Sequence, residues 1–385
     1  MSILDVRLEC AWCGATRRAD LDPWCATCGG SLRARFEPQL PVDAVTVTLG
    51  EGQTPLLAVP RAGGPGVWGK AEWVNPTGSF KDRSAAVAMS AAIALGATGV
   101  VVASAGNNAA SVSAYAARAG LPCVAVLPAS TPQNKVIQAQ AHGARVARVS
   151  GDFSDAYRIA ELVRREVGWV NMTSTYLNPF MTAAHATIAY EVASALDGAV
   201  GSIVMPVGAG PMLEGIVEGF ERLVGAGETA VMPLVVGVQA AGCAPIVKAF
   251  ERGDAAVEAW PGAPVSIATS INDPLRGYPD DGTRTLRTIR RVHGVAVAVA
   301  DEAIVAAMHD LGATEGMACE PAAASTLAGL RELDSRMTIP RPVVLVLSGH
   351  VLKDPKYATA ASEDGPVLDP AGVLALVHRI EAKSS

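Results

Sequence analysis

Short valine-rich runs alternate with alanine-rich stretches through most of the chain, and no other feature limits its possible folds as tightly. The apolar run 99–103 precedes an alanine-rich stretch at 108–118, and the run 123–127 precedes another at 132–142. A further strand is read at 145–149, where Arg145 and Arg148 interrupt the apolar residues, and further apolar runs lie at 202–206, 234–239, 295–299 and 343–347. Their side chains are apolar at consecutive positions, so a strand built from them has no face for water and needs helices on both sides. An open, mostly parallel α/β sheet meets that need. Residues 31–60 read as a linker and an entry strand. Half of the 385 residues are hydrophobic and 18% are charged, against roughly 25% charged in a typical globular domain. A disordered chain is thereby excluded, and the length suits two domains of about 150 residues with a small extra module.

Charge narrows the partners. The formal net charge of −6 opposes the broad positive field that holds nucleic acid or an anionic membrane. No stretch approaches the roughly 20 uninterrupted apolar residues of a transmembrane helix. The start, MSILDVRLEC, lacks the basic and then apolar layout of a secretory signal. We expect a cytoplasmic protein whose partners are small molecules and copies of itself, with no nucleic acid and no membrane.

Four of the seven cysteines fall in the first 28 residues, as Cys10-x2-Cys13 and Cys25-x2-Cys28. Two such hooks eleven residues apart, each followed by a glycine (Gly14, Gly29) that permits a tight turn, match the spacing that wraps four thiolates around a structural zinc ion. Four protein ligands leave no open position for a substrate, so the metal would support the fold. Two disulfides are the alternative, which needs an oxidising compartment. Cys123, Cys243 and Cys319 are expected as small buried apolar residues.

In open α/β sheets, ligands sit where strand ends feed helix N-termini, and four turns stand out there. The run 75–83, NPTGSFKDR, puts Lys81 at the start of an alanine-rich helix. The helix dipole and partial burial would both lower its amine pKa there; a solvated surface lysine is the ordinary alternative. Ser104, Asn107 and Asn108 occupy the turn after the run 99–103, where converging N–H groups suit a carboxylate, or where an asparagine merely caps a helix. The turn 206–213, PVGAGPML, carries glycines that can cradle a phosphate. Its G-x-G-x4-G spacing departs from the dinucleotide fingerprint. Last, Ser348 places a hydroxyl at the end of the run 343–347.

Taken together and in this order, these turns resemble fold-type II pyridoxal-phosphate (PLP) enzymes of the threonine synthase group. The resemblance implies Lys81 as the catalytic lysine that carries the cofactor. It implies Ser104, Asn107 and Asn108 for the substrate carboxylate, with Asn107 also facing the cofactor O3′. The phosphate cup would be Gly208, Ala209, Gly210, Met212 and Leu213, since Pro211 lacks an N–H. Ser348 would meet the pyridine nitrogen, and residues 315–325, EGMACEPAAAS, match a further family stretch. An amino-terminal zinc ribbon, here Cys10, Cys13, Cys25 and Cys28, recurs in part of the group.

The implied architecture is two open α/β domains with PLP between them. The ribbon would span 1–35, the small domain 76–184, and the large PLP-binding domain 36–75 with 185–385, as a homodimer. The implied activity is that of a lyase or synthase performing elimination or replacement on a small amino acid. A hydroxyl partner does not force the ring nitrogen to stay protonated, which favours those outcomes over transamination. Serine or threonine dehydration, or a cysteate-synthase-like replacement, is the alternative chemistry.

Two departures bear on the substrate. Where threonine synthases carry phosphate-binding arginines, this chain has Met181 in the run 175–181 and Asn272, followed by Asp273, in the run 269–274. Arginine suits phosphate because of its fork of donors, so O-phosphohomoserine is a doubtful substrate unless Arg276, Arg284 or His185 substitutes. A third reading makes the ribbon a nucleic-acid module through Arg17, Arg18, Arg33 and Arg35; the acidic total and Lys81 oppose it.

Overall fold

The structure, a computed structural model, describes residues 3–36, 44–104, 106–131, 133–357 and 367–384. Ala105 and Pro132, which fall within or beside the runs read above, lie outside the described residues. Three sheets are built in succession. The first holds β1 (Arg7–Cys10), β2 (Thr16–Arg18) and β3 (Leu32–Arg35), antiparallel in the order β2-β1-β3. The chain then forms β4 (Leu56–Ala58) and β5 (Val67–Ala71) before leaving to build a second, wholly parallel sheet. That sheet contains β6 (Val100–Ala103), β7 (Cys123–Pro128), β8 (Arg145–Val149) and β9 (Val170–Asn171), ordered β8-β7-β6-β9. On its return the chain adds β10 (Ser202–Pro206), β11 (Leu234–Ala240), β12 (Val295–Val299) and β13 (Val343–Leu347). The third sheet is ordered β12-β11-β10-β13-β5-β4 and is parallel except for β4.

Helices cover both parallel sheets, as the doubly apolar strands require. α1 (Lys81–Ala94), α2 (Asn107–Ala119), α3 (Ile137–Ala141) and α4 (Phe153–Val167) flank the second sheet. α5 (Pro179–Ala184) and α6 (Ala186–Ala195) lead back to the third. There α7 (Pro211–Gly225), α8 (Pro245–Arg252), α9 (Pro279–Arg291), α10 (Asp301–Glu315) and α11 (Pro321–Asp334) alternate with strands, and α12 (Pro370–Ser384) ends the described chain. Among the described residues no helix is long and apolar enough to cross a membrane.

Every strand read from an apolar run is present, displaced by no more than one residue at either end. The stretch 132–142 differs: a 3-10 turn, Gln133–Lys135, precedes the short α3. β5 has no continuous apolar run to mark it, because Gly69 and Lys70 interrupt it. Gly69 is required by packing, since a Cβ there would stand 2.7 Å from Leu347 Cδ1. Lys70 is buried with an ionic partner, Glu191.

The ribbon is not a separate bead. Cys10, Cys25, Leu32 and Phe36 share one apolar cluster with the inner face of α1 and with Phe180 and Met181 of α5. Phe36 meets Phe180 edge to face at 6.4 Å between ring centroids. The four thiol groups converge, with all Sγ atoms within 4.8 Å of one another, and Gly14 and Gly29 take φ of 73° and 71° in the knuckle turns. Cys123, Cys243 and Cys319 are buried, as expected.

β13 runs through the centre of the third sheet, and its side chains alternate between two clusters. Val344 and Val346 face α7 and α9, while Val343, Leu345 and Leu347 face α10 and α11. Leu345 is fully buried, paired in register with Val204 and Gly69. Leu345→Ala should therefore lower stability by about 2–5 kcal/mol, the range for a leucine cavity. Denaturant titration would check it, and a loss below about 1 kcal/mol would show that the sheet centre is less tightly packed than described.

Candidate cofactor site

The strand ends of both parallel sheets converge on the start of α1. After β5 the chain makes one 3-10 turn and the loop 75–80. Phe80 N donates to Ser348 O at 3.0 Å, His350 N to Gly78 O at 3.0 Å, and Glu320 N to Gly349 O at 2.9 Å. Three separate loops are thus laced side by side. Asp82 completes the anchorage by accepting from Thr77 N and Oγ1 and from Ser111 Oγ of α2, each at 2.6 Å.

Lys81 stands in the first turn of α1. Its Nζ donates to Ser174 Oγ at 2.8 Å and lies 4.4 Å from the Phe80 ring centroid. Burial pushes the amine down from 10.5 to about 8, with Glu320 and Asp273 pulling the other way. Burial disfavours the charged ammonium and so makes a neutral, nucleophilic amine accessible near physiological pH.

Glu320 gathers the polar groups around this lysine. It accepts from Asn107 Nδ2 at 2.9 and 3.1 Å, from Ser348 Oγ at 3.3 Å and from Ser270 Oγ at 3.4 Å. Burial raises its pKa, with Asn107 the largest opposing influence. Asn107, Ser348 and Lys81 are therefore brought to one centre. Ser104 Oγ accepts from Gly106 N at 3.3 Å at the mouth of α2. Asn108 is turned differently: its Nδ2 donates to Met172 O at 2.8 Å, and its buried Oδ1 has no partner.

The turn after β10 forms a concave run of amides. Gly210 caps α7 at φ 111°, a left-handed conformation that favours glycine. A Cβ at that position would stand 2.1 Å from Thr285 Oγ1. Thr285 Oγ1 donates to Ala209 O, and Gln239 Nε2 to Gly208 O at 3.4 Å. In a trans peptide the N–H points opposite to the C=O. With those two carbonyls held by the protein, the amides of Ala209 and Gly210 face away from it. The first intrahelical bond of α7 is Glu214 N to Gly210 O at 3.1 Å, so Met212 and Leu213 add N–H groups at a helix N-terminus.

These features fit PLP: an amine of lowered pKa, an anion cradle and a strand-end hydroxyl, with the buried Ser79 Oγ and Asn108 Oδ1 both lacking partners beside them. The family of pyridoxal-phosphate dependent enzymes matches residues 47–349. The chain belongs to that family. Threonine synthase of Methanosarcina acetivorans is 38% identical over 343 residues, covering 87% of this chain and 83% of that protein. Threonine synthase of Mycobacterium leprae is 34% identical over 347 residues, covering 88% and 92%. Maize serine racemase shares the fold, with a TM-score of 0.69 at 18% identity over 87% of this chain and 94% of its own.

Within a PLP enzyme, the arginines considered as substitutes at a phosphate are already engaged. Arg284 is paired with Glu214 at 2.7 Å and fully buried; Arg276 is paired with Asp152 at 2.7 Å. His185 meets the Phe80 ring at a tilt, 5.2 Å between centroids, and burial drives its pKa well down, which favours the neutral imidazole. Met181 is buried in the cluster shared with the ribbon.

Ser174 and Glu320 escaped the sequence reading. Ser174 follows β9, a strand two residues long that leaves no apolar run to see. Glu320 lies in a quoted stretch, but nothing local marks its carboxylate.

Only a neutral amine adds to an aldehyde such as that of PLP, and Lys81 is proposed below as that amine. Capture by apoenzyme should accelerate as pH rises through about 8, followed by the growth of the visible absorption band. A midpoint near the ordinary lysine value of 10.5 would mean that the amine is solvated.

Proposed function

We propose that this chain is a PLP-dependent lyase or synthase that performs elimination or replacement on a small amino acid, as its similarity to threonine synthases implies. The observation that carries the reading is Lys81, a buried amine of lowered pKa held by Ser174 beside the strand-end turns. PLP, when bound, supplies the sink for the electron pair left at the substrate Cα. Lys81 Nζ, once free and neutral, accepts the Cα proton, with Ser174 fixing its direction. The amides at the start of α2, with Ser104 and Asn107, hold the substrate carboxylate and so orient the Cα–H bond toward Nζ. Ser348 supports the pyridine nitrogen, and Gly208, Ala209, Gly210, Met212 and Leu213 hold the phosphate. We place the large domain at 36–75 and 185–385, the small domain at 76–184 and the ribbon at 1–35. The assembly we propose is a cytoplasmic homodimer.

The ribbon cysteines are read as a structural zinc site. Tetrahedral Zn–S bonds of about 2.3 Å place sulfurs about 3.8 Å apart, and Cys10–Cys28 and Cys13–Cys25 stand at 3.4 and 3.7 Å. Trp12 N and Thr27 N point at Cys10 and Cys25 Sγ at 3.4 Å each, as suits thiolate acceptors. Metal analysis of protein purified without chelator should find about one zinc per chain, and Cys10→Ser or Cys25→Ser should lower the melting temperature more than the turnover of the surviving fold. Protein free of zinc would contradict the site.

For the substrate, we read a side chain less anionic than a phosphate dianion. Arg276 and Arg284 are engaged elsewhere, and Asp273 faces the amine. This favours the alternative β-chemistry on serine, threonine or an O-acyl serine. Mixing the holoenzyme with O-phosphohomoserine, O-phosphoserine, O-acetylserine, serine and threonine should perturb the cofactor spectrum most with the uncharged leaving groups. Conversion of O-phosphohomoserine to threonine at kcat/KM of about 10⁴ M⁻¹s⁻¹ or more would show that other groups hold the phosphate.

A further inference from the structure

The ribbon meets α7 through a buried ionic network that the catalytic reading leaves unused. Arg33 of β3 places Nε 2.6 Å from Glu214 Oε1 and 3.4 Å from Glu218 Oε1. Arg35 of the same strand reaches Glu218 at 3.3 Å and forks onto Glu9 at 2.8 and 3.1 Å. Arg284 of α9 forks onto Glu214 at 2.7 and 2.9 Å, while its third nitrogen donates to Ser31 Oγ at 2.8 Å and Leu32 O at 3.2 Å in the ribbon. Glu214 is fully buried, and the two arginines hold its pKa down to about 2.

The position of Glu214 gives this network its reach. It is the fourth residue of α7, directly after Leu213, so it belongs to the turn whose free amides form the cup. Arg284 also lies 4.0 Å over the face of Tyr176. Tyr176 OH meets Thr285 Oγ1 at 2.9 Å, and that hydroxyl holds the Ala209 carbonyl. One arginine touching the ribbon therefore braces the cup on two sides, through Glu214 below it and through Tyr176 and Thr285 beside it.

We propose that the ribbon is a positioning element for the cofactor phosphate, with Arg33 and Glu214 as its positioning residues. The inference rests on the cup reading of Gly208–Leu213. Removing Arg33 leaves Glu218 and Glu214 short of a buried cation, which the first turn of α7 relieves by shifting toward solvent. The amides then lose their common focus, and affinity falls for a ligand that carries a phosphate.

Absorbance titration of apoenzyme with PLP, and separately with pyridoxal, which lacks the phosphate, tests this. Arg33→Met should raise the Kd of PLP about tenfold or more, Arg33→Lys less, and both should leave the Kd of pyridoxal unchanged. Glu214→Gln, which keeps the side-chain shape, serves should Arg33→Met fail to fold, and should raise the Kd of PLP alike. Trp24→Phe removes a ribbon contact to α4, Glu161 at 3.5 Å, and should leave both constants as they are. Gly210→Ala strikes the cup itself. If it weakens PLP while Arg33→Met and Glu214→Gln do not, the ribbon has no positioning role and the cup stands. If Gly210→Ala leaves PLP affinity intact, the cup reading fails and this inference with it. Equal weakening of PLP and pyridoxal by the Arg33 and Glu214 variants would mark a general loss of fold and overturn the proposal.

Discussion

A closed set of four charges, three buried and the fourth, Glu191, partly so, fixes the start of α1 against the third sheet, and everything at the site hangs from that join. Lys70 of β5 pairs with Glu191 of α6 at 2.6 Å, and Arg83 of α1 pairs with Glu72 at 2.8 Å and with Glu191 at 2.5 Å. Thr54 Oγ1 donates to Glu72 at 2.6 Å and Asn75 Nδ2 to the same carboxylate at 3.0 Å. Two cations and two carboxylates leave no net charge inside. Burying any one alone would be prohibitive, and removing one partner from such a set typically costs about 3–5 kcal/mol. Arg83 is two residues beyond Lys81 on the same helix, so the pairing that holds Arg83 also sets where Lys81 begins. Burial opposes the charge on Glu191, yet its two cations hold its pKa down to about 2. This contribution is complete above the ordinary value of 4.5 and fades only as pH falls toward 2.

With α1 so placed, the reactivity of Lys81 follows from a contest between desolvation and two acids. Burial alone favours the neutral amine, while Glu320 and Asp273 favour the ammonium, and the balance stands near 8. Burial also raises both acids, so each supports the ammonium less strongly than a solvated carboxylate at the same distance would. Donors from Asn107, Ser348 and Ser270 keep Glu320 within reach of its charged form. The same carboxylate thus ties the loop after β6, the loop after β13 and the segment before α11 into one electrostatic unit.

The sequence makes part of this plain and conceals the rest for definable reasons. A parallel strand buried on both faces is a continuous apolar run, so β6, β7, β10, β11, β12 and β13 are visible one by one. Two strands are not: β5 hides behind Gly69 and Lys70, and β9 is too short to form a run. The turns that carry Lys81, Asn107, Gly210 and Ser348 are legible because each couples a strand end to small or polar residues in series. Ser174 and Glu320 become visible only when distant segments meet. Arg33 and Arg35 look like a solvated basic patch in the sequence; in space Glu9, Glu214 and Glu218 neutralise them. That places Arg33 and Arg35 against the protein's own helix.

The two ionic networks share a design that explains how an anion site can exist amid so many acids. The first balances two cations with two carboxylates, and the ribbon network balances Arg33, Arg35 and Arg284 with Glu9, Glu214 and Glu218. Each is neutral as a whole, so its field falls off steeply beyond its own pairs. What reaches the cradle is then local: the amides at the start of α7, the helix dipole behind them and Asp273. Asp273 lies against the turn, its Cβ 3.6 Å from where a Cβ on Gly208 would stand. Tyr278 OH and Leu275 N each donate to its Oδ1 at 2.9 Å, yet burial, the largest influence on it, pushes its pKa upward. An acid shifted toward its neutral form repels a neighbouring phosphate less, and once protonated it becomes a donor to one. Asp273 thus stands beside the turn proposed to hold the cofactor phosphate, and whatever charge it keeps there disfavours a second dianion on the substrate, which links that turn to the choice of leaving group.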